Sequence, residues 1–154
     1  MKIRLKKLRS TAVLPKQATK GDFCYDVWAT SEEEIRPGTW KYGLGFKYEM
    51  VRDQVSQIPE GWNICIDLRP RSGISKTGMV LCNSEGTLDE FFRGEACAHF
   101  YQVMTGDAYE RYHVGDKIAQ IKIGIAPPAE FEWVDEIDEN TERGEGGFGH
   151  TGQK

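Results

Sequence analysis

An all-β chain, folded as a β-sandwich or jelly roll, is predicted by three features of the sequence. Apolar residues recur at every second position in several short runs, turn residues stand between the runs, and no long helical period competes. Alternation sets one face of each strand against a core and the other toward water, and many short runs of this kind build layered β-structure.

In chain order, the first run is Ile3 and Leu5, followed by Leu44, Phe46, Tyr48 and Met50. The next is Trp62, Ile64, Ile66 and Leu68, then Ile121, Ile123 and Ile125, and finally Phe131 and Trp133. Pro37 with Gly38, Pro59 through Gly61, Gly86, Gly115 with Asp116, and Pro127 with Pro128 punctuate them as turns. Val51 to Gln57 has the composition of a single helical turn. Residues 1–139 read as one β domain, and 140–154 as a glycine-rich, charged arm that cannot build a core of its own.

A length of 154 residues suits one domain. The net charge of −4 advertises no basic face, which argues against a nucleic-acid polymer as partner. Cys24, Cys65, Cys82 and Cys97 form no CxxC pair and follow no charged-then-apolar leader, so they read as reduced thiols of a cytoplasmic protein. His99, His113 and His150 lack the spacing of a protein-built transition-metal site, and no apolar run approaches a membrane span.

Chemistry concentrates between Pro70 and Glu95. Arg71 and Ser72 beside Gly73 suit an oxyanion, because guanidinium binds phosphate bidentately and glycine lets backbone N–H groups approach. Asp89 lies between Leu88 and the pair Phe91 and Phe92, where partial desolvation would make it a general base. Taken singly, Arg-Ser-Gly is an ordinary turn and Asp89 an ordinary loop carboxylate. In the arm, Gly144, Gly146, Gly147, Gly149 and Gly152 can present successive N–H groups to an anion, with Arg143 adding charge and Phe148 a stacking face. The arm lacks the GK[ST] ending of a phosphate-binding Walker loop.

Five ordered stretches, GDFCYDVWA, PRSG, the segment from Asn83 to Glu95, KIAQIKI and RGEGGFGHTG, together resemble the motifs of the trimeric dUTP pyrophosphatases (dUTPases) over roughly residues 18 to 152. The resemblance implies a jelly-roll homotrimer with three shared sites that converts dUTP to dUMP and pyrophosphate with magnesium (Mg2+). It implies that Asp26 holds a water on the metal, that Arg71, Ser72 and Gly73 meet the phosphates, and that Asn83 and a hairpin turn through Gly86 pair with the uracil edge. Leu88 joins the substrate-binding set. Asp89 would polarise the water that attacks the α-phosphorus, with Gln120 facing that water, and the Phe92 ring would pack on deoxyribose and exclude a 2′-hydroxyl. From the arm, Arg143 would reach the γ-phosphate, Phe148 would stack on uracil, Thr151 with Gly152 would meet the phosphates, and Gly147 and Gly149 join the substrate-binding set.

Cys24, Phe91, Lys117 and His150 depart from that family's usual residues, and the stretch from Lys41 to Gln57 is longer than in its compact members. The rivals are a dCTP deaminase, whose family lacks the glycine-rich arm, and a non-catalytic regulatory protein that binds the nucleotide.

Overall fold

Alternation becomes strand wherever one face can be buried, and a computed structural model describes the result over residues 1–52, 58–106 and 108–146. The strands are β1 (Lys2–Lys7), β2 (Tyr25–Trp28), β3 (Ser31–Arg36), β4 (Thr39–Gly43), β5 (Phe46–Val51), β6 (Asn63–Pro70), β7 (Met79–Leu81), β8 (Gly86–Asp89), β9 (Cys97–Gln102) and β10 (Lys117–Ala126). A short 3-10 turn over Ser72–Lys76 is the one helical element among the described residues. Two four-stranded sheets, β2-β10-β6-β8 and β3-β4-β9-β7, are joined by a two-stranded ribbon of β1 and β5, and every pairing among the described residues is antiparallel.

The inner faces of the two sheets share one core. Ile64, Ile66 and Leu68 of β6 meet Tyr42 of β4, Phe100 of β9 and Met79 and Leu81 of β7 in a single buried cluster. The Tyr42, Phe100 and Tyr112 rings pack edge-on at centroid distances of 5.8, 6.3 and 5.3 Å, a geometry the ring quadrupole favours. The Tyr42 hydroxyl keeps a partner by donating to the Tyr112 carbonyl at 2.9 Å.

The outer face of the β2-β10-β6-β8 sheet is polar, because pairing puts Asp26 beside Gln120, Gln120 beside Arg69, and Lys122 beside Asp67. Lys122 Nζ lies 2.8 Å from the Asp67 carboxylate, which also accepts from Cys65 Sγ and Thr87 Oγ1, each at 3.3 Å. Burial pushes the Asp67 pKa up, but Lys122, Cys65 and Thr87 outweigh it and hold the carboxyl below its ordinary value. A depressed folded-state pKa adds stability that is complete above the unfolded value and is lost as pH falls through the folded one. Asp67→Asn is therefore expected to lower the urea midpoint at neutral pH and to flatten its further fall on acidification to about pH 3. An acid limb as steep as wild type would assign the loss to other carboxylates.

Two expectations need correction. Phe131 and Trp133 form no strand: β10 ends at Ala126, and both rings are fully exposed. The turn through Gly86 is not a hairpin, since β7 pairs with β9 in one sheet and β8 with β6 in the other, so the loop crosses between sheets. Gly86 itself is the buried first residue of β8. Of the helical turn expected over 51–57, Val51 closes β5 and residues 53–57 lie outside the described residues.

Candidate active site

Asp26 is the most enclosed carboxylate of a cleft at one end of the β2-β10-β6-β8 sheet, with 6% of its surface exposed. Its backbone is fixed on both sides, by hydrogen bonds with Lys16 (2.9 and 3.2 Å) and by pairing with Gln120 of β10. Arg71 Nε donates to Asp26 Oδ1 at 2.9 Å, and Lys117 Nζ lies 3.0 Å from Oδ2 as an ion pair without an aligned hydrogen bond. Arg71, the extended residue before the 3-10 turn, also reaches the Lys117 carbonyl at 3.4 Å. Ser72 and Gln120 complete the polar wall, Gln120 Nε2 donating to the Pro70 carbonyl at 3.2 Å, while Phe23 and Cys24 form another wall. A Cβ on Gly73 would meet nothing within 4 Å, so packing within the chain does not demand glycine there. The cleft, of about 390 Å³, thus brings together Asp26, Arg71, Ser72 and Gln120.

A second cleft, of about 280 Å³, opens beside the inter-sheet loop and is lined by Asn83, Gly86, Thr87, Leu88, Cys97 and His99 among others. Ser84 takes a left-handed φ of 56°, which turns the loop back on itself. A Cβ on Gly86 would sit 3.2 Å from the Asn83 amide nitrogen, so glycine leaves that amide its room.

Asp89 ends β8, one residue past Leu88 of this cleft, and its side chain is exposed. Its carbonyl accepts from Tyr48 Oη at 2.6 Å and from the Phe92 amide at 3.1 Å. The desolvation expected from its apolar neighbours is not present within one chain, for Phe91 is 81% exposed and Phe92 turns away onto Tyr48 at a centroid distance of 6.3 Å. Arg93 caps its own loop, donating to the carbonyls of Glu90 (2.7 Å) and Phe92 (2.9 Å).

Register measures how far apart the two regions are. Gln120 pairs with Arg69, whereas Asp89 pairs with Cys65, four residues along β6 and on the opposite side of it from β10. That places Asp89 roughly 13 Å along the strands and about 10 Å across them from Gln120. One water cannot touch both within a single chain, since each contact must be of hydrogen-bond length. Arg143 lies in neither cleft; its Nε donates to the Gly146 carbonyl at 2.9 Å within the exposed end of the chain. Gly147, Phe148, Gly149 and Thr151 lie outside the described residues.

Among the described residues no group of three His, Cys, Asp or Glu is placed to hold a metal directly. Asp26 nevertheless fits magnesium held through water, because Oδ2 is a buried acceptor without a hydrogen-bond donor and magnesium keeps most of its waters. Sequence reasoning missed two partners here. It named Lys117 only as a departure from arginine, although it neutralises Asp26, and it read Tyr48 only as a strand residue.

The dUTPase family model matches residues 10–152. The deoxyuridine 5'-triphosphate nucleotidohydrolase of Clostridium novyi (strain NT) is 34% identical over 154 residues, 99% of each chain. That of Helicobacter pylori (strain P12) is 34% identical over 156 residues, 99% of this chain and 97% of its own. Among solved structures, a Staphylococcus bacteriophage 80alpha dUTPase with dUPNHPP superposes with a TM-score of 0.75 at 23% identity over 98% of both chains. A mutant dUTPase from phage phi11 of S. aureus, whose structure concerns a structural Mg(II) ion, gives 0.67 at 21% identity over 90% of this chain and 99% of its own. These two share the sandwich fold. With the matches in sequence running essentially end to end, the chain belongs to the dUTPase family.

Proposed function

We propose that the protein hydrolyses dUTP to dUMP and pyrophosphate in sites shared between the copies of a homotrimer. The observation that carries this reading is the cleft in which Asp26, Arg71, Ser72 and Gln120 converge. Arg71 and Ser72 offer donors to the triphosphate, with Gly73 leaving the backbone open to it. Asp26 would hold, through a water, the magnesium that accompanies the substrate, which would supply positive charge against that developing on the phosphates. Asp89 takes the proton of the water that attacks the α-phosphorus while Gln120 orients it, so positioning and electrostatics do most of the work.

The distance between Gln120 and Asp89 supports sharing: one copy supplies the phosphate cleft and its neighbour the uracil loop with Asn83, Gly86, Leu88, Asp89 and Phe92. Residues 127–145 support it too. They are exposed and carry Phe131, Trp133, Val134 and Ile137 without a core to enter, as a segment laid on another copy would. The arm residues Arg143, Gly147, Phe148, Gly149 and Thr151 would then close over bound nucleotide. No helix among the described residues is long and apolar enough to cross a membrane. The free cysteines fit a reducing cytoplasm.

A pyrophosphate-release assay across dUTP, dTTP, dCTP and UTP, with and without magnesium, is the test. Turnover is expected for dUTP alone and only with the metal. Binding without turnover would make the protein a nucleotide sensor, and deamination of dCTP would make it a deaminase.

A further inference from the structure

The stretch that ends at Arg52, part of a segment longer here than in compact members of the family, is tied to the Asp89 turn at three points. Tyr48 of β5, 2% exposed, donates its hydroxyl to the Asp89 carbonyl at 2.6 Å. The same ring packs against Phe92 at 6.3 Å, inclined by 40°. Arg52, just past β5, grips Glu90 with Nε at 2.8 Å and Nη2 at 2.7 Å, and also donates to the Trp62 carbonyl at 2.7 Å.

We infer that Tyr48 is a positioning residue with two separable duties: its hydroxyl fixes the backbone from which Asp89 projects, and its ring sets the angle of Phe92. This rests on the reading of Asp89 as the base and of Phe92 as the sugar-facing ring.

Asp89 is a strand-end residue paired with Cys65 of β6. It stands at the last position of β8, its side chain exposed, so the carboxylate is aimed by its backbone. Besides the Tyr48 hydroxyl, its carbonyl accepts from the Phe92 amide at 3.1 Å, which belongs to the same turn and moves with it. Pairing with Cys65 of β6 and the Arg52 grip on Glu90 hold the neighbouring backbone, and the Tyr48 hydroxyl adds a bond from β5 to the Asp89 carbonyl itself; misplacement of a base by about an ångström is costly to a reaction that depends on alignment. The hydroxyl remains a neutral donor throughout any assay range, because burial, and then the charge of Asp89, push its pKa up to about 12.

The ring has a separate task. Phe92 folds back over Gly94, where a Cβ would collide with its ring, and rests on Tyr48. Gly94 fixes one side of Phe92 and Tyr48 the other, so a smaller side chain at position 48 would free the ring to tilt.

The experiment compares Tyr48→Phe and Tyr48→Leu with wild type, measuring kcat and KM for dUTP, the dUTP-to-UTP ratio of kcat/KM, the thermal midpoint and the mass of the assembly. Tyr48→Phe is expected to lower kcat about tenfold with KM within about twofold and an unchanged sugar ratio. Tyr48→Leu is expected to show that loss and, in addition, a fall in the sugar ratio of about tenfold. A purely structural residue would lower the midpoint and the active fraction while leaving the sugar ratio of both variants at the wild-type value, and that outcome overturns the inference. Wild-type kcat in Tyr48→Phe overturns it as well. Should wild type itself release no pyrophosphate from dUTP, the functional reading fails first and the inference with it.

Discussion

Asp89→Asn should lower the turnover of dUTP by about 10²–10⁴-fold, the usual contribution of a positioned general base, while KM changes little. The amide keeps the size and one acceptor of the carboxylate but cannot take the proton of the attacking water. The substitution is mild for the fold. The side chain is exposed, and the groups that secure this turn, the Tyr48 hydroxyl and the Phe92 amide, bond to the backbone carbonyl, which asparagine retains. Folding and assembly should accordingly match wild type, with any loss confined to kcat. Turnover within a few-fold of wild type would remove Asp89 from the site and leave the exposed carboxylate as an ordinary end of a strand.

How much of this was legible in the chain depended on whether the relevant partner lay within reach of a pattern. The run from Trp62 to Leu68 read correctly because one of its faces is fully buried, and β6 begins one residue later at Asn63. β3, with the sequence SEEEIR and little burial, gave no alternation to read, and β7 is only three residues long. Phe131 and Trp133 alternate as a strand would, yet the segment pairs with no strand among the described residues. Periodicity tells what a stretch can pair with, not whether the partner is present. The same limit governs the site. Arg71, Ser72, Asp26 and Gln120 were identified by residue type and order, and they do meet in one cleft. That Asp89 falls four residues from their line was invisible, because strand register is set by long-range pairing. Tyr48 looked like any inward residue of an alternating run, and nothing local shows that its hydroxyl meets a carbonyl 41 positions away.

Two dead variants should restore each other if the protein is the proposed homotrimer with shared sites. Arg71→Ala removes the guanidinium of the phosphate cleft, and Asp89→Asn removes the base. Each homotrimer, made alone, should retain at most about a hundredth of wild-type turnover, since each lacks one part in all three sites. In mixed trimers a site draws its cleft from one copy and its base from another. It is intact when the cleft comes from an Asp89→Asn chain and the base from an Arg71→Ala chain. For equal amounts unfolded and refolded together, random assembly makes about a quarter of all sites intact, so activity should rise to about a quarter of the wild-type level. The increase is some twenty-five-fold or more over either parent, too large to mistake for incomplete removal of a single group. Arg71→Ala leaves Lys117 beside Asp26 at 3.0 Å, so the buried carboxylate keeps a cation and the cleft should stay folded. Native mass spectrometry with one variant carrying a mass tag establishes that mixed trimers have formed. Mixed trimers with no more activity than their parents would mean that each chain completes its own site, and the separation of Gln120 from Asp89 would then have to be closed by movement within a chain.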